Sequence, residues 1–312
     1  MGKLKQFQIL LKDAKPYYQG GDVISGEVVL ELAEEMKMRK IQLSFFGAAN
    51  VRWSESHGSG NHRRTVVYSA NETYLDITTV LVGAQDSMTL AVGNHAFPFQ
   101  LQLPDGCPST YEGKGAGRLA YGIQAVIDKP WAFNDKKELK FLVLARHDLN
   151  ADPRAVIATE VEDRKSLGCL CCKAGTIEAK LQLTRSGYVC GEPVELRLHI
   201  QNNSSRKIKT ITYRLVQSAV FKASGRTRVV NDKLWEIKQA LELGSGARTL
   251  VERMQIPPCF DCFSACSIID VLHSFEVVMA PSGASTNLKL RAPIILGTVP
   301  INAGQQMSPA EV

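Results

Sequence analysis

Tyr18-Gln19-Gly20-Gly21-Asp22-Val23-Ile24-Ser25-Gly26-Glu27-Val28 returns half a chain later as Tyr188-Val189-Cys190-Gly191-Glu192-Pro193-Val194-Glu195-Leu196. Each copy sets a glycine and a carboxylate in front of a run in which apolar and polar residues alternate. Glycine supplies the conformations of a tight turn, and alternation marks a strand with one buried face. Two further pairs follow in the same order. Arg39-Lys40-Ile41-Gln42-Leu43-Ser44-Phe45 returns as Arg206-Lys207-Ile208-Lys209-Thr210-Ile211-Thr212-Tyr213, and Leu101-Gln102-Leu103-Pro104 returns as Met254-Gln255-Ile256-Pro257. Chance similarity between strands does not preserve order, so the chain reads as an internal duplication of one β-unit.

The same alternation extends outward from these copies. It covers residues 23–31, 40–46, 74–81, 97–103, 119–127 and 139–144, then 177–183, 194–200, 208–216, 268–279 and 286–290. Turn-forming clusters such as Leu103-Pro104-Asp105-Gly106 and Pro281-Ser282-Gly283 separate the runs, and no long amphipathic helix emerges. Many short strands divided by turns predict an all-β chain of two tandem antiparallel immunoglobulin-like β-sandwich domains. The expected division is 1–147 for the first domain, 148–168 for a linker, 169–300 for the second domain and 301–312 for a short flexible tail. The linker reading rests on Asn150-Ala151-Asp152-Pro153-Arg154 and the charged Glu160-Val161-Glu162-Asp163-Arg164-Lys165, where alternation is weak.

Bulk properties narrow the function classes. The chain has 312 residues, 45% of them hydrophobic and 22% charged, the balance of an ordinary globular protein. Its net charge of +6 is scattered over both halves, whereas a polyanionic nucleic acid selects a concentrated basic face, so nucleic acid is not an expected partner. The first residues lack the apolar core of a signal peptide, and no apolar run reaches the roughly 20 residues that span a bilayer. The chain is read as cytoplasmic. Eight cysteines would then remain reduced, and the sequons at Asn71-Glu72-Thr73 and Asn203-Ser204-Ser205 are read as exposed turns.

Several residues invite a chemical role. Cys169, Cys171 and Cys172, with Cys259, Cys262 and Cys266, could offer thiolates to a tetrahedral zinc, but neither cluster has ribbon-like spacing; ordinary packing of the thiols, and surface thiols or lipidation of the Cys169 cluster, are the alternatives. Gly113-Lys114-Gly115-Ala116-Gly117-Arg118 precedes an alternating run instead of a helix, which a phosphate-binding loop would need, so it is read as a turn. The six histidines are isolated from any recognisable nucleophile motif. No catalytic residue, metal or cofactor is therefore assigned, and an enzyme is not expected. Arg63 and Arg64, and Arg226 and Arg228, could contact anionic lipid or phosphorylated tails by charge-assisted hydrogen bonds, or simply be solvated hairpin tips.

The duplicated segments carry a resemblance. Tyr17 to Gly26, Phe97-Pro98-Phe99-Gln100-Leu101-Gln102-Leu103-Pro104, Pro108-Ser109-Thr110-Tyr111-Glu112-Gly113, and Leu119-Ala120-Tyr121-Gly122-Ile123-Gln124-Ala125 followed by Lys129-Pro130-Trp131 resemble the amino-terminal domain of α-arrestins. Gly187-Tyr188-Val189-Cys190-Gly191-Glu192, Asn202-Asn203-Ser204-Ser205-Arg206-Lys207, Ile256-Pro257-Pro258, Cys266-Ser267-Ile268-Ile269 and Pro293-Ile294-Ile295-Leu296-Gly297-Thr298-Val299-Pro300 resemble the carboxy-terminal domain. The resemblance implies an arrestin fold and a scaffold that binds cytoplasmic segments of membrane receptors or transporters and links them to ubiquitin ligases and endosomal sorting. It also implies peripheral contact with the plasma membrane or endosomes. A permanent structural subunit of a trafficking coat, like those of retromer, is the alternative. Members of the family usually recruit ligases through Pro-Pro-x-Tyr motifs, and this chain has none; Pro257-Pro258-Cys259-Phe260 and Pro108-Ser109-Thr110-Tyr111 fail the pattern. Direct ligase binding is accordingly not expected of these residues. The thioredoxin-binding cysteine of one family member is absent from Leu243-Gly244-Ser245-Gly246-Ala247-Arg248-Thr249, so thioredoxin is not carried over as a partner.

Overall fold

Side chains two residues apart share one face of a strand, and in each half of this chain such faces build an apolar core. The structure, a computed structural model, describes residues 3–60, 63–169, 172–258, 266–283 and 286–302, without the side chains of 84, 85, 168, 169 and 172–174. The first half contains β1 (Leu4–Leu11), β2 (Val23–Leu32), β3 (Met36–His57), β4 (Arg64–Leu90), β5 (Gly93–Gln102), β6 (Tyr111–Glu112), β7 (Gly117–Asp128) and β8 (Asp135–Phe141). One antiparallel sheet has the order β1-β2-β5; the other has the order β4-β3-β7-β6, with β8 also paired to β7. Ile24, Val28, Leu30 and Leu32 from β2 are buried, as are Ile41, Leu43 and Phe45 from β3 and Leu119, Ile123 and Ile127 from β7. The rings of Phe45 and Phe99 join the two sheets edge to face at 5.7 Å. Gly26 is required inside β2, because a Cβ there would lie 2.2 Å from the Leu10 carbonyl oxygen and 2.8 Å from the Phe99 ring.

The second half contains β9 (Thr159–Cys169), β10 (Cys172–Leu183), β11 (Gly187–Val189), β12 (Pro193–Ser204), β13 (Ile208–Ala223), β14 (Arg226–Leu243), β15 (Gly246–Gln255), β16 (Ile269–Pro281) and β17 (Leu288–Gly297). Its sheets run β15-β12-β10-β9 and β11-β17-β16-β13-β14. Leu181, Leu196, Leu198, Ile208, Ile211, Leu215, Phe275, Val277 and Leu290 are among the residues of its core. The chain divides into two compact units, Met1–Ala145 with Phe221–Arg228 and Phe263–Asp270, and Arg146–Val220 with Val229–Cys262 and Val271–Val312.

The duplication reaches the level of single hydrogen bonds. Gly21 and Gly191 both take the left-handed conformation, with φ of 83° and 82°. The N–H of Gly21 donates to Leu103 O at 2.9 Å, and that of Gly191 to Ile256 O at 2.8 Å. The following acid turns back on the loop: Asp22 accepts the N–H of Gln19 at 2.8 Å, and Glu192 accepts that of Val189 at 3.0 Å. A basic residue completes each corner, Lys15 with Asp22 at 2.9 Å and Arg185 with Glu192. The same cations stand over the rings of Tyr18 and Tyr188, at 5.8 and 4.9 Å from the centroids. The Gln19 N–H and the Lys15 ammonium hold the Asp22 carboxyl below its ordinary range. Even the parallel element recurs, as a Tyr18–Val143 bridge in one unit and as the β11–β17 pair in the other.

Several expectations change. The segment 148–168 contains regular elements at both ends: Leu149–Ala151 forms a 3-10 turn capped by Asp148, and Thr159–Cys169 is strand β9. Its charges obscured the strand because β9 lies at a sheet edge, where charged side chains are common, and Arg164 and Lys180 pair with Glu178 and Glu160 across to β10 and back. The sequon at Asn71 lies inside β4, and Asn203-Ser204 lies inside β12, so neither is a turn. Strands β1, β14 and β15 lack a clear apolar rhythm in sequence; β14 is an edge strand with no buried position. The start of the expected tail is anchored: Ile301 is buried with Leu149 and Ala155, and the Asn302 N–H donates to Asn150 Oδ1 at 2.9 Å. The rest of the tail lies outside the described residues.

Candidate binding surfaces

Corresponding sheets in the two units each carry a shallow cleft on their outer face. On β1-β2-β5 it measures about 490 Å3 and is lined by Leu10, Lys12, Ser25, Glu27, Pro98 and Gln100, among others. On β15-β12-β10-β9 it measures about 640 Å3 and exposes Arg164, Glu178, Lys180, His199, Gln201 and Arg248. In the second cleft His199 is held on both ring nitrogens, by Thr249 Oγ1 and Gln182 Oε1 at 2.9 Å each. Glu160 in turn takes a hydrogen bond from Gln182 at 2.7 Å, and hydrogen bonds from Lys180 and then Gln182 hold its carboxyl below the ordinary glutamate pKa. Such a surface offers paired charges, amides and a hydroxyl for polar contacts.

A third groove, of about 360 Å3, lies on the five-stranded sheet of the second unit. The Arg291 guanidinium donates to Ser274 Oγ at 2.7 Å and also contacts Ser218, whose hydroxyl donates to Asn231 Oδ1 at 2.7 Å. His273 lies at this groove but is 5% exposed, and burial pushes its pKa down to about 4, so the ring is neutral near neutral pH. Sequence reading missed Arg291, Ser218 and Ser274, because the three meet only through the pairing of β13, β16 and β17.

The arginines singled out from sequence sit at hairpin tips. Arg63 and Arg64 enter β4, Arg226 and Arg228 begin β14, and all four are exposed. None has an ion pair among the described residues, and no hydrogen bond joins one pair to the other. Of the six cysteines considered for zinc, Cys171, Cys259 and Cys262 lie outside the described residues. Cys169 and Cys172 are backbone partners where β9 meets β10. Cys266 is a free thiol whose Sγ accepts the Ile269 N–H at 3.3 Å. No group of three or more His, Cys, Asp or Glu residues suited to a metal occurs among the described residues. The turn at 113–117 leads into strand β7, as its sequence suggests, and Gly113 donates to the Gly117 carbonyl at 3.1 Å.

Comparison with known proteins bears on what such surfaces serve. The model of the arrestin (or S-antigen) N-terminal domain matches residues 7–150, and that of the arrestin C-terminal domain matches residues 173–301. The chain belongs to the arrestin family. Among curated relatives, arrestin domain-containing protein 17 of Caenorhabditis elegans is 28% identical over 96% of this arrestin-domain chain and 72% of its own length. Arrestin domain-containing protein 4 of Mus musculus is 27% identical, covering 96% and 73%. Thioredoxin-interacting protein of Homo sapiens is 23% identical, covering 95% and 75%. The family and these relatives support an arrestin-like adaptor role. Among the described residues of this arrestin-domain chain, no helix is long and apolar enough to cross a membrane.

Proposed function

We propose that the chain is a non-enzymatic adaptor that binds cytoplasmic segments of membrane receptors or transporters and directs their endocytosis or ubiquitin-linked sorting. The observation that carries this reading is the pair of arrestin domains with duplicated corners, matched in order along nearly the whole chain. Two sheets end in edge strands, β1 and β15, whose outer backbone groups can accept an extended peptide as an added strand, a mode that needs no deep pocket. The exposed arginines at 63, 64, 226 and 228 supply positive charge for phosphorylated segments or anionic headgroups. The domains are proposed to part within 148–168, where the chain passes from Asp148 into β9.

The test is affinity capture from solubilised membranes with the 312-residue chain. Recovery of receptors or transporters that compete with synthetic peptides from their cytoplasmic segments supports the reading. A fixed set of soluble partners in constant ratio would assign the chain to a coat complex instead.

A further inference from the structure

Trp131 and Phe133 stand fully in solvent, at 102% and 98% relative exposure, in the turn between β7 and β8. A globular chain scatters single apolar residues on its surface, but two large aromatic rings two residues apart with no protein cover form a feature that needs a partner. The turn holds them there. Its ends are tied by the Lys129 N–H donating to Asn134 Oδ1 at 3.1 Å and by the Lys129–Asp135 ion pair. Trp131 itself has φ of 60°, a conformation that a non-glycine residue adopts at a cost and that here is part of an ordered turn.

Charge surrounds the tip on its strand side. Lys136, Lys137 and Lys140 are exposed and without an ion pair among the described residues, against one such carboxylate, Glu138. Asp135 is already paired, and Asp128 at the end of β7 is held by Arg39 at 2.9 Å. Aromatic rings at a projecting tip with lysines behind them match the layered chemistry of a bilayer surface, where Trp and Phe settle among the headgroups and ammonium groups meet anionic lipid. A pocketed protein partner would satisfy the rings but leave the lysines unexplained.

We propose that the β7–β8 turn is a membrane-interface anchor in which Trp131 and Phe133 enter the headgroup region of an anionic bilayer while Lys136, Lys137 and Lys140 contact its lipid charges. The proposal rests on the adaptor reading for its cellular setting, but it needs no cargo. Vesicle binding and cargo capture therefore fail independently.

The test uses the whole chain in flotation with vesicles of phosphatidylcholine, alone or mixed with phosphatidylserine. Binding to the mixed vesicles is expected, with a loss of about tenfold in partitioning for the double variant Trp131→Ala/Phe133→Ala. Lys136→Glu/Lys137→Glu should lose about tenfold on the mixed vesicles, with little change on the neutral ones. Bromine-labelled lipid should quench an emission component that Trp131→Ala alone removes, a readout on the unmodified protein that does not depend on how the double variant folds. Absence of vesicle binding, flotation of either variant with the mixed vesicles equal to that of the unmodified chain, or unquenched Trp131 emission would overturn the anchor. Capture of a soluble protein through Trp131 with no vesicle binding would assign the tip to that partner and overturn it equally.

Discussion

Ser267 donates both its backbone N–H, at 3.0 Å, and its hydroxyl, at 2.7 Å, to a single carboxylate oxygen of Glu72, 195 residues away in the chain. Burial pushes the pKa of Glu72 up, but the hydrogen bonds the carboxylate accepts, those from Ser267 foremost, together outweigh it and hold the carboxyl below its ordinary value of 4.5. A carboxyl with a depressed folded value stabilises the fold above its unfolded value, and that contribution is lost as pH falls through the folded one. Glu72→Gln should therefore cost about 1 kcal/mol at neutral pH, at the low end for charged hydrogen bonds because Ser267 is exposed, and should cost little in acid. Urea unfolding at neutral and acid pH checks this; a loss of the same size at both would show that the charge is not what matters.

The duplicated corners predict unequal sensitivities. Arg185 and Glu192 are only 15% and 16% exposed, whereas Lys15 and Asp22 are 47% and 28% exposed. Neutralising Glu192 leaves a guanidinium in a poorly solvated site, where its Nη1 already lacks a partner. Glu192→Gln should destabilise by about 3 kcal/mol and Asp22→Asn by about 1 kcal/mol, measured as unfolding midpoints of the whole chain. Equal losses would contradict the difference in burial.

His273 makes stability depend on pH. Its folded value of about 4, set by burial, lies below the ordinary 6.5, so the unfolded chain binds the proton more readily between those values. Stability from this residue is complete above pH 6.5, declines as pH falls toward 4, and changes no further below that; the total is about 3 kcal/mol. Replacing His273 with Phe should flatten the melting temperature across this window. An unchanged slope in the variant would place the titration elsewhere.

Ligase WW domains should not engage the segment around Pro108 in this chain. Tyr111, the ring such a domain would have to grip, is 5% exposed and packs against Phe221 at 6.1 Å. The 312-residue chain should show no saturable binding at about tens of micromolar, where roughly 6 to 7 kcal/mol of binding free energy is needed. A Pro-Pro-x-Tyr peptide appended after Val312 should confer it. Saturable binding by the unmodified chain that Tyr111→Phe abolishes would mean that the buried tyrosine becomes available.

The sequence by itself determined the β-class, the duplication and the family, because each rests on local signals: a period of two, a Gly-acid turn, and the repeated order of both. The corner at Asp22 was legible from a single stretch, and its copy at Glu192 from a comparison of two. Features that depend on pairing partners were not legible. A charged edge strand such as β9 has the composition of a linker until a neighbour supplies its hydrogen bonds, and β14, which has no fully buried position, lacks the apolar rhythm that marks β2. Tertiary structure alone decided that Ser267 reaches Glu72, that Arg291 meets Ser218 and Ser274, and that Trp131 faces water instead of the core. Hydrophobic burial is read from the order of residues only when one strand carries its own pattern; which distant groups meet, and which aromatic rings find no cover, depends on how the sheets close around them.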